Sequence, residues 1–316
     1  MKGNFSSMRL HIHFGIHRTG TSSIHRNLST NKNILLDNGI LYPELGVESR
    51  HVKLAWKLIN GKLSYEKAIE QIKAEIKDTT KLVLLSSEDF CLLDIEKWLM
   101  LLSENFDLSA SIYLKRQDIW LESWYNQHIR WPWSKRFSNA SPDFFLNKMS
   151  EFYWINYEQL LSRIASRIPE GKLYVNTVES SSVSDTANDL FQFLGVPLIS
   201  KQVNKNASLS SAKMDIVRRI NFINLNGSAR MRIISALERL EIKEDNGSKH
   251  IFNDKQARLI MKKFSGSNKK VAEKYFGREK LFNDPYISHR SPSFVSDEKA
   301  YKKYIPELLK IVSQDS

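Results

Sequence analysis

Apolar runs and helical periodicities alternate along the first two thirds of the chain. Strand-like runs occupy residues 9–14, 81–86, 110–115 and 172–178, and the stretches between them repeat their apolar residues at helical spacing. Ile24 and Leu28 share one helical face; Trp120, Trp124 and His128 share another. This alternation predicts an α/β fold, a parallel sheet covered by helices, with ligands at the carboxyl ends of the strands. The later chain changes character. Residues 152–168 and 185–194 read as helices, the second stopped by Gly195 and Pro197. From Ser211 the pattern is mostly helical, with breaks at Asn226-Gly227, at Asn246-Gly247 and around Pro292. The expected organisation is one domain over residues 1–316, with an α/β nucleotide-binding core at 1–210 and a helical annex at 211–316.

The first strand runs directly into His13-Phe14-Gly15-Ile16-His17-Arg18-Thr19-Gly20-Thr21-Ser22-Ser23 and then into a helix. A glycine-bearing turn in that setting can cradle a phosphate, because successive backbone N–H groups and the positive end of the helix face one anion. A Walker A loop would continue past Gly20 with Lys and then Ser or Thr, whereas this chain has Thr21 and Ser22, and its cation, Arg18, precedes the second glycine. About a hundred residues on, Ala110 to Leu114 reads as a strand ending in Lys115-Arg116, followed by a helix carrying Ser123. A guanidinium fork and a hydroxyl at one end of a sheet suit a second phosphate.

These two elements resemble those of the sulfotransferases that use 3′-phosphoadenosine 5′-phosphosulfate (PAPS), in particular the bacterial, carbohydrate-sulfotransferase-like branch whose loop reads H-x-G-x-H-K-T-G-T-[ST]-S. The loop lysine of that pattern is Arg18 here. Gly39-Ile40-Leu41-Tyr42-Pro43, Leu82 to Glu88, Asn206-Ala207-Ser208-Leu209-Ser210 and Asn268 to Gly277 followed by Leu281-Phe282 are similar to further family segments, so the likeness runs from about residue 10 to 282. It implies a P-loop-containing parallel sheet flanked by helices. It also implies transfer of a sulfuryl group from PAPS to an acceptor hydroxyl, leaving 3′,5′-adenosine bisphosphate (PAP), with no metal required. On the same grounds His17, Arg18, Thr19, Gly20, Thr21, Ser22 and Ser23 hold the 5′-phosphosulfate, and Arg116 and Ser123 hold the 3′-phosphate.

For the catalytic base three residues stand open, ranked His51, Glu88, Glu44. A histidine accepts a proton at neutral pH without tuning, whereas a carboxylate usually needs a raised pKa. Arg18 is placed on the leaving side, where charge gathers as the sulfuryl group departs. His11 and His13 alternate along a strand, which suits structural roles better than metal ligation.

Lys and Arg exceed Asp and Glu by 47 to 35, a net charge of +12, so the surface attracts anions. There is no zinc-ligand spacing, RNA-binding signature or dense basic tail, and nucleic acid is not an expected partner. The single cysteine, Cys91, permits no internal disulfide, and no apolar window reaches membrane-spanning length. The expectation is a cytoplasmic protein, at most peripherally membrane-associated, acting on a hydroxyl of a glycan or glycolipid. The Trp131-Pro132-Trp133 turn beside Lys135 and Arg136 could stack on such an acceptor. Two other readings are kept: a P-loop kinase-like phosphotransferase, with Glu88 or Asp89 as a magnesium-binding acid, and a non-catalytic polysaccharide-binding protein of the same fold.

Overall fold

The computed structural model describes residues 8–45, 51–198, 209–223, 225–283 and 289–314. Five strands, β1 (Arg9–Phe14), β2 (Ile40–Leu41), β3 (Leu82–Ser87), β4 (Asp107–Leu114) and β5 (Leu173–Thr177), form one sheet in the order β2-β3-β1-β4-β5. Every neighbouring pair is parallel. Parallel strands need crossovers, and helices supply them. These include α1 (Thr21–Thr30) and α2 (Lys32–Asp37) after β1, and α3 (Val52–Ile59) and α4 (Tyr65–Glu75) after β2. The helix α5 (Ile95–Ser103) follows β3. The sheet is the predicted α/β architecture, with helices flanking it and a mostly helical C-terminal part.

β1 explains much of the interior. Leu10, Ile12 and Phe14 point to one face and are fully buried, while His11 and His13 point to the other, equally buried. The histidines are tolerated because the neighbouring strands place hydroxyls beside them. His11 sits between Ser109 and Ser111 of β4, 2.9 Å from each, and His13 Nδ1 is 2.7 Å from Ser86 Oγ of β3. Burial pushes His11 down to about 3 and His13 well below the usual imidazole range, so both are neutral. On this face α1 and α9 (Thr186–Phe193) pack Ile24, Leu28, Leu190 and Phe191 around Leu84 and Tyr113. On the opposite face Phe14 meets Phe90 edge-on at 6.4 Å, and α5 packs on β4 and on α8 (Tyr157–Ala165).

The strands fall within a few residues of the apolar runs, with two differences elsewhere. The helix expected over 152–168 is shorter, Tyr157–Ala165, because Asn156 caps it by accepting from Gln159 N–H. β2 is two residues long, too short for a periodicity, and is a strand only through pairing Ile40 with Leu82 and Leu41 with Val83.

The chain divides into two compact units. Residues 1–116, 153–204 and 264–284 make the first, which holds the whole sheet; residues 117–152, 205–263 and 285–316 make the second. The second unit contains α6 (Gln117–Arg130), α7 (Pro142–Asn147), α10 (Ser211–Ile220) and α11 (Gly227–Arg239). Trp120, Trp124 and His128 of α6 are buried among Phe137, Phe145 and Phe152. Trp133, from the turn read as a stacking surface, lies 5.8 Å from the Trp124 ring and stays 55% exposed. Arg290 Nη2 meets Asp118 Oδ2 at 2.7 Å with both side chains fully buried. Glu122 accepts from the N–H groups of Ile251 and Phe252.

Candidate active site

The glycine-bearing loop sits at the carboxyl end of β1 within the first unit, where two glycines are required by space as well as by sequence pattern. A Cβ on Gly15 would lie 2.5 Å from Thr21 Cγ2 and 2.8 Å from the Glu88 backbone. On Gly20 it would lie 2.2 Å from Thr186 Oγ1, and Gly20 has φ +90°, a conformation that side chains rarely adopt. Gly15 N–H donates to Ser87 O at 3.0 Å, tying the loop to β3. Thr19 and Thr21 are buried and both donate to Ile16 O, at 2.7 and 3.2 Å. Their hydroxyls therefore shape the loop from inside. Arg18, Gly20 and Ser22 are exposed, with His17 and Ser23 half-buried. Arg18 also takes a left-handed φ of +69°. Gly20 caps α1 with no side-chain hydrogen bond, and the first turn holds no acid. The first N–H groups of a helix have no partner within it, so this end of α1 offers donors and positive potential to an anion.

Two acids at the end of β3 face the loop, and each meets a histidine. Glu88 Oε2 is 3.3 Å from His25 Nδ1 of α1, and Asp89 Oδ1 is 3.0 Å from His17 Nε2 in the loop. The second oxygen of Asp89 accepts from Trp56 Nε1 of α3 at 3.1 Å. His25 is 1% exposed and the Glu88 side chain 16%, so Glu88 is the less buried member of the pair, although its Oε2 is itself buried.

His51, ranked first as a base, is placed differently. It is 1% exposed. Its Nε2–H donates to Pro43 O at 2.8 Å and its Nδ1 accepts from Ser86 N–H at 3.0 Å. Both ring nitrogens thus serve the backbone, and burial pushes the imidazole down to about 4. This is the bonding of a structural histidine that pins the segment after β2 to β3. Glu44 is exposed and ion-paired to Lys32, which holds its carboxyl below the usual range. Arg116 follows β4 and is 5% exposed. Lys115 before it reaches Arg18 O through Nζ at 3.4 Å. Ser123 belongs to the second unit, half-buried on α6. Asn206, Ala207 and Ser208 lie outside the described residues.

No family model matches the chain. An uncharacterized protein of Archaeoglobus fulgidus is 28% identical over 208 residues, covering 63% of this chain and 55% of that protein. The chain thus spans about half the length of the curated relative it matches. Among solved structures, a sulfotransferase from Alicyclobacillus acidocaldarius is similar with a TM-score of 0.44 and 14% identity, over 70% of this chain and 98% of that one. Among the described residues no helix is long and apolar enough to cross a membrane.

Three participants escaped the sequence reading. The sequence reading names Asp89 only as a possible magnesium-binding acid and gives no role to His25 or Trp56. The His25 pairing had a faint signal, since Ser22, Ser23 and His25 open a helix whose first turn lacks any acid. Nothing local marked Trp56, whose bond to Asp89 joins residues 33 apart.

Proposed function

We propose that this protein is a PAPS-dependent sulfotransferase acting on an acceptor hydroxyl, of the kind found on a glycan or glycolipid. The observation that carries the reading is the uncapped start of α1. Gly15 and Gly20 admit no side chain there, no acid occupies the first turn, and exposed Arg18 lies beside them. In the proposed reaction PAPS supplies the sulfuryl group. Arg18 and the N–H groups of Gly20 to Ser22 meet the charge left on the departing 5′-phosphate oxygen, and Arg116 holds the 3′-phosphate. Glu88 takes the proton of the attacking hydroxyl, with His25 as a positioning residue that aims its carboxylate. Asp89 orients His17. This assignment moves the base from His51 to Glu88, because both ring nitrogens of His51 are engaged by backbone groups and a base must reach the hydroxyl. The kinase alternative draws less support: both oxygens of Asp89 are engaged, by His17 and Trp56, and no lysine follows Gly20.

The test is calorimetric titration with PAP in EDTA, followed by transfer of labelled sulfate from PAPS to a panel of saccharide acceptors. Micromolar PAP binding without metal supports the reading; tight binding of ATP with magnesium and none of PAP overturns it. For the base, Glu88→Gln should lower turnover by about 10²–10⁴ while His51→Gln keeps turnover near wild type. The reverse pattern returns the role to His51.

A further inference from the structure

The second unit contains a cavity of about 360 Å³, within the range that holds small organic ligands. Phe222, Ile223 and Leu225 line its apolar side, and Arg230, Lys135 and Asn221 its polar side. Arg230, on the first turns of α11, is only 4% exposed, and its Nη1 donates to Asn221 Oδ1 at 2.7 Å. Asn221 has no freedom to turn that oxygen away, because its Nδ2 donates to Ile129 O at 2.9 Å and to Ser138 O.

An amide oxygen leaves the guanidinium's charge uncompensated. The other buried arginines of this unit are matched by acids: Arg219 meets Asp215 and Asp297, and Arg290 meets Asp118. Among the described residues no carboxylate pairs with Arg230. Burial alone pushes its pKa down, yet an arginine remains charged inside proteins. A buried, unbalanced cation at the wall of a cavity is a costly arrangement that a bound anion relieves. Lys135, exposed on the same wall, adds a second positive charge. The apolar side has its own oddity. Phe222 and Ile223, 69% and 58% exposed, are the two most exposed large apolar side chains among the described residues.

We propose that this cavity binds a small anionic amphiphile, an alkyl sulfate, phosphate or carboxylate, with its head on Arg230 and Lys135 and its chain along Phe222 and Ile223. The site is independent of the phosphate loop and of the sulfotransferase reading. Three probes below their micelle concentrations separate its elements in calorimetry: octyl sulfate, inorganic sulfate and the uncharged octyl glucoside. One octyl sulfate per chain should bind at least about tenfold more tightly than inorganic sulfate, and octyl glucoside should not bind measurably. Arg230→Gln should weaken octyl sulfate about ten- to a hundredfold, and Arg18→Ala should leave it unchanged. Should Arg230→Gln fail to fold, Lys135→Gln combined with Phe222→Ser, both at exposed positions, should still weaken binding severalfold. Octyl glucoside binding as well as octyl sulfate, loss of the site in Arg18→Ala, or indifference to both sets of substitutions overturns the proposal.

Discussion

Lowering the pH should destabilise the folded protein well above the range where carboxylates protonate, and the cause is a set of histidines buried neutral around β1. In the unfolded chain each titrates near 6.5; in the fold, burial takes His51 down to about 4, His11 to about 3 and His13 well below its ordinary value. A depressed folded pKa means that the unfolded state binds the extra proton. The stabilisation is therefore fully present above pH 6.5 or so and is lost as pH falls, down to about 4 for His51 and about 3 for His11. Each pH unit inside that window costs about 1.4 kcal/mol per histidine. Between pH 7.5 and 5 the loss is about 2 kcal/mol each for His11 and His51, about 4 kcal/mol together, with His13 acting in the same direction. That is a large share of the 5–15 kcal/mol typical of a folded domain. Urea unfolding followed by tryptophan fluorescence at pH 7.5, 6 and 5 measures it, with an expected uptake of two to three protons on unfolding near pH 5.5. His51→Gln isolates one term, since an amide can accept from Ser86 N–H and donate to Pro43 O as the imidazole does, and should reduce the uptake by about one proton. A pH slope below one proton in the wild type, or an unchanged slope in His51→Gln, would refute the reasoning.

Arg116→Ala should weaken PAP about ten- to a hundredfold, the value of one charged hydrogen-bonded contact, while scarcely affecting adenosine 5′-phosphosulfate; equal loss of both ligands removes the 3′-phosphate assignment. Gly20→Ala combines a strained φ with a Cβ 2.2 Å from Thr186 Oγ1 and should lower PAP affinity at least tenfold with the circular dichroism spectrum retained, so undiminished affinity would mean that the loop is not the anion site. Arg290→Met strips Asp118 of its partner in a place where both side chains are fully buried; calorimetry should show about 3–5 kcal/mol of lost stability, and a loss under 1 kcal/mol would show that the pair contributes little.

The sheet strands were legible because strands buried on both faces read as apolar runs, as β3 does, whereas in β1 and β4 apolar residues alternate with a histidine and serines that bond to one another across the pair. The tight glycine turn after β1 was legible for a different reason. Its glycines answer to backbone geometry and close approach, demands that act within a few residues and leave a mark on the sequence. β2 left no such mark, since two residues carry no period and only the pairing with β3 makes them a strand. The roles of the histidines were likewise decided by the fold. His51 looked like a base because its intrinsic pKa suits the task, but a pKa belongs to an environment, and burial against β3 with both nitrogens bonded to the backbone pushes this one down to about 4. Glu88 with His25, and Asp89 with His17 and Trp56, are pairings between residues 33 to 72 positions apart. Local preference and periodicity reach across a few turns of chain, whereas desolvation and hydrogen-bond partnership depend on which distant segments the sheet brings together, and that only the tertiary structure decides.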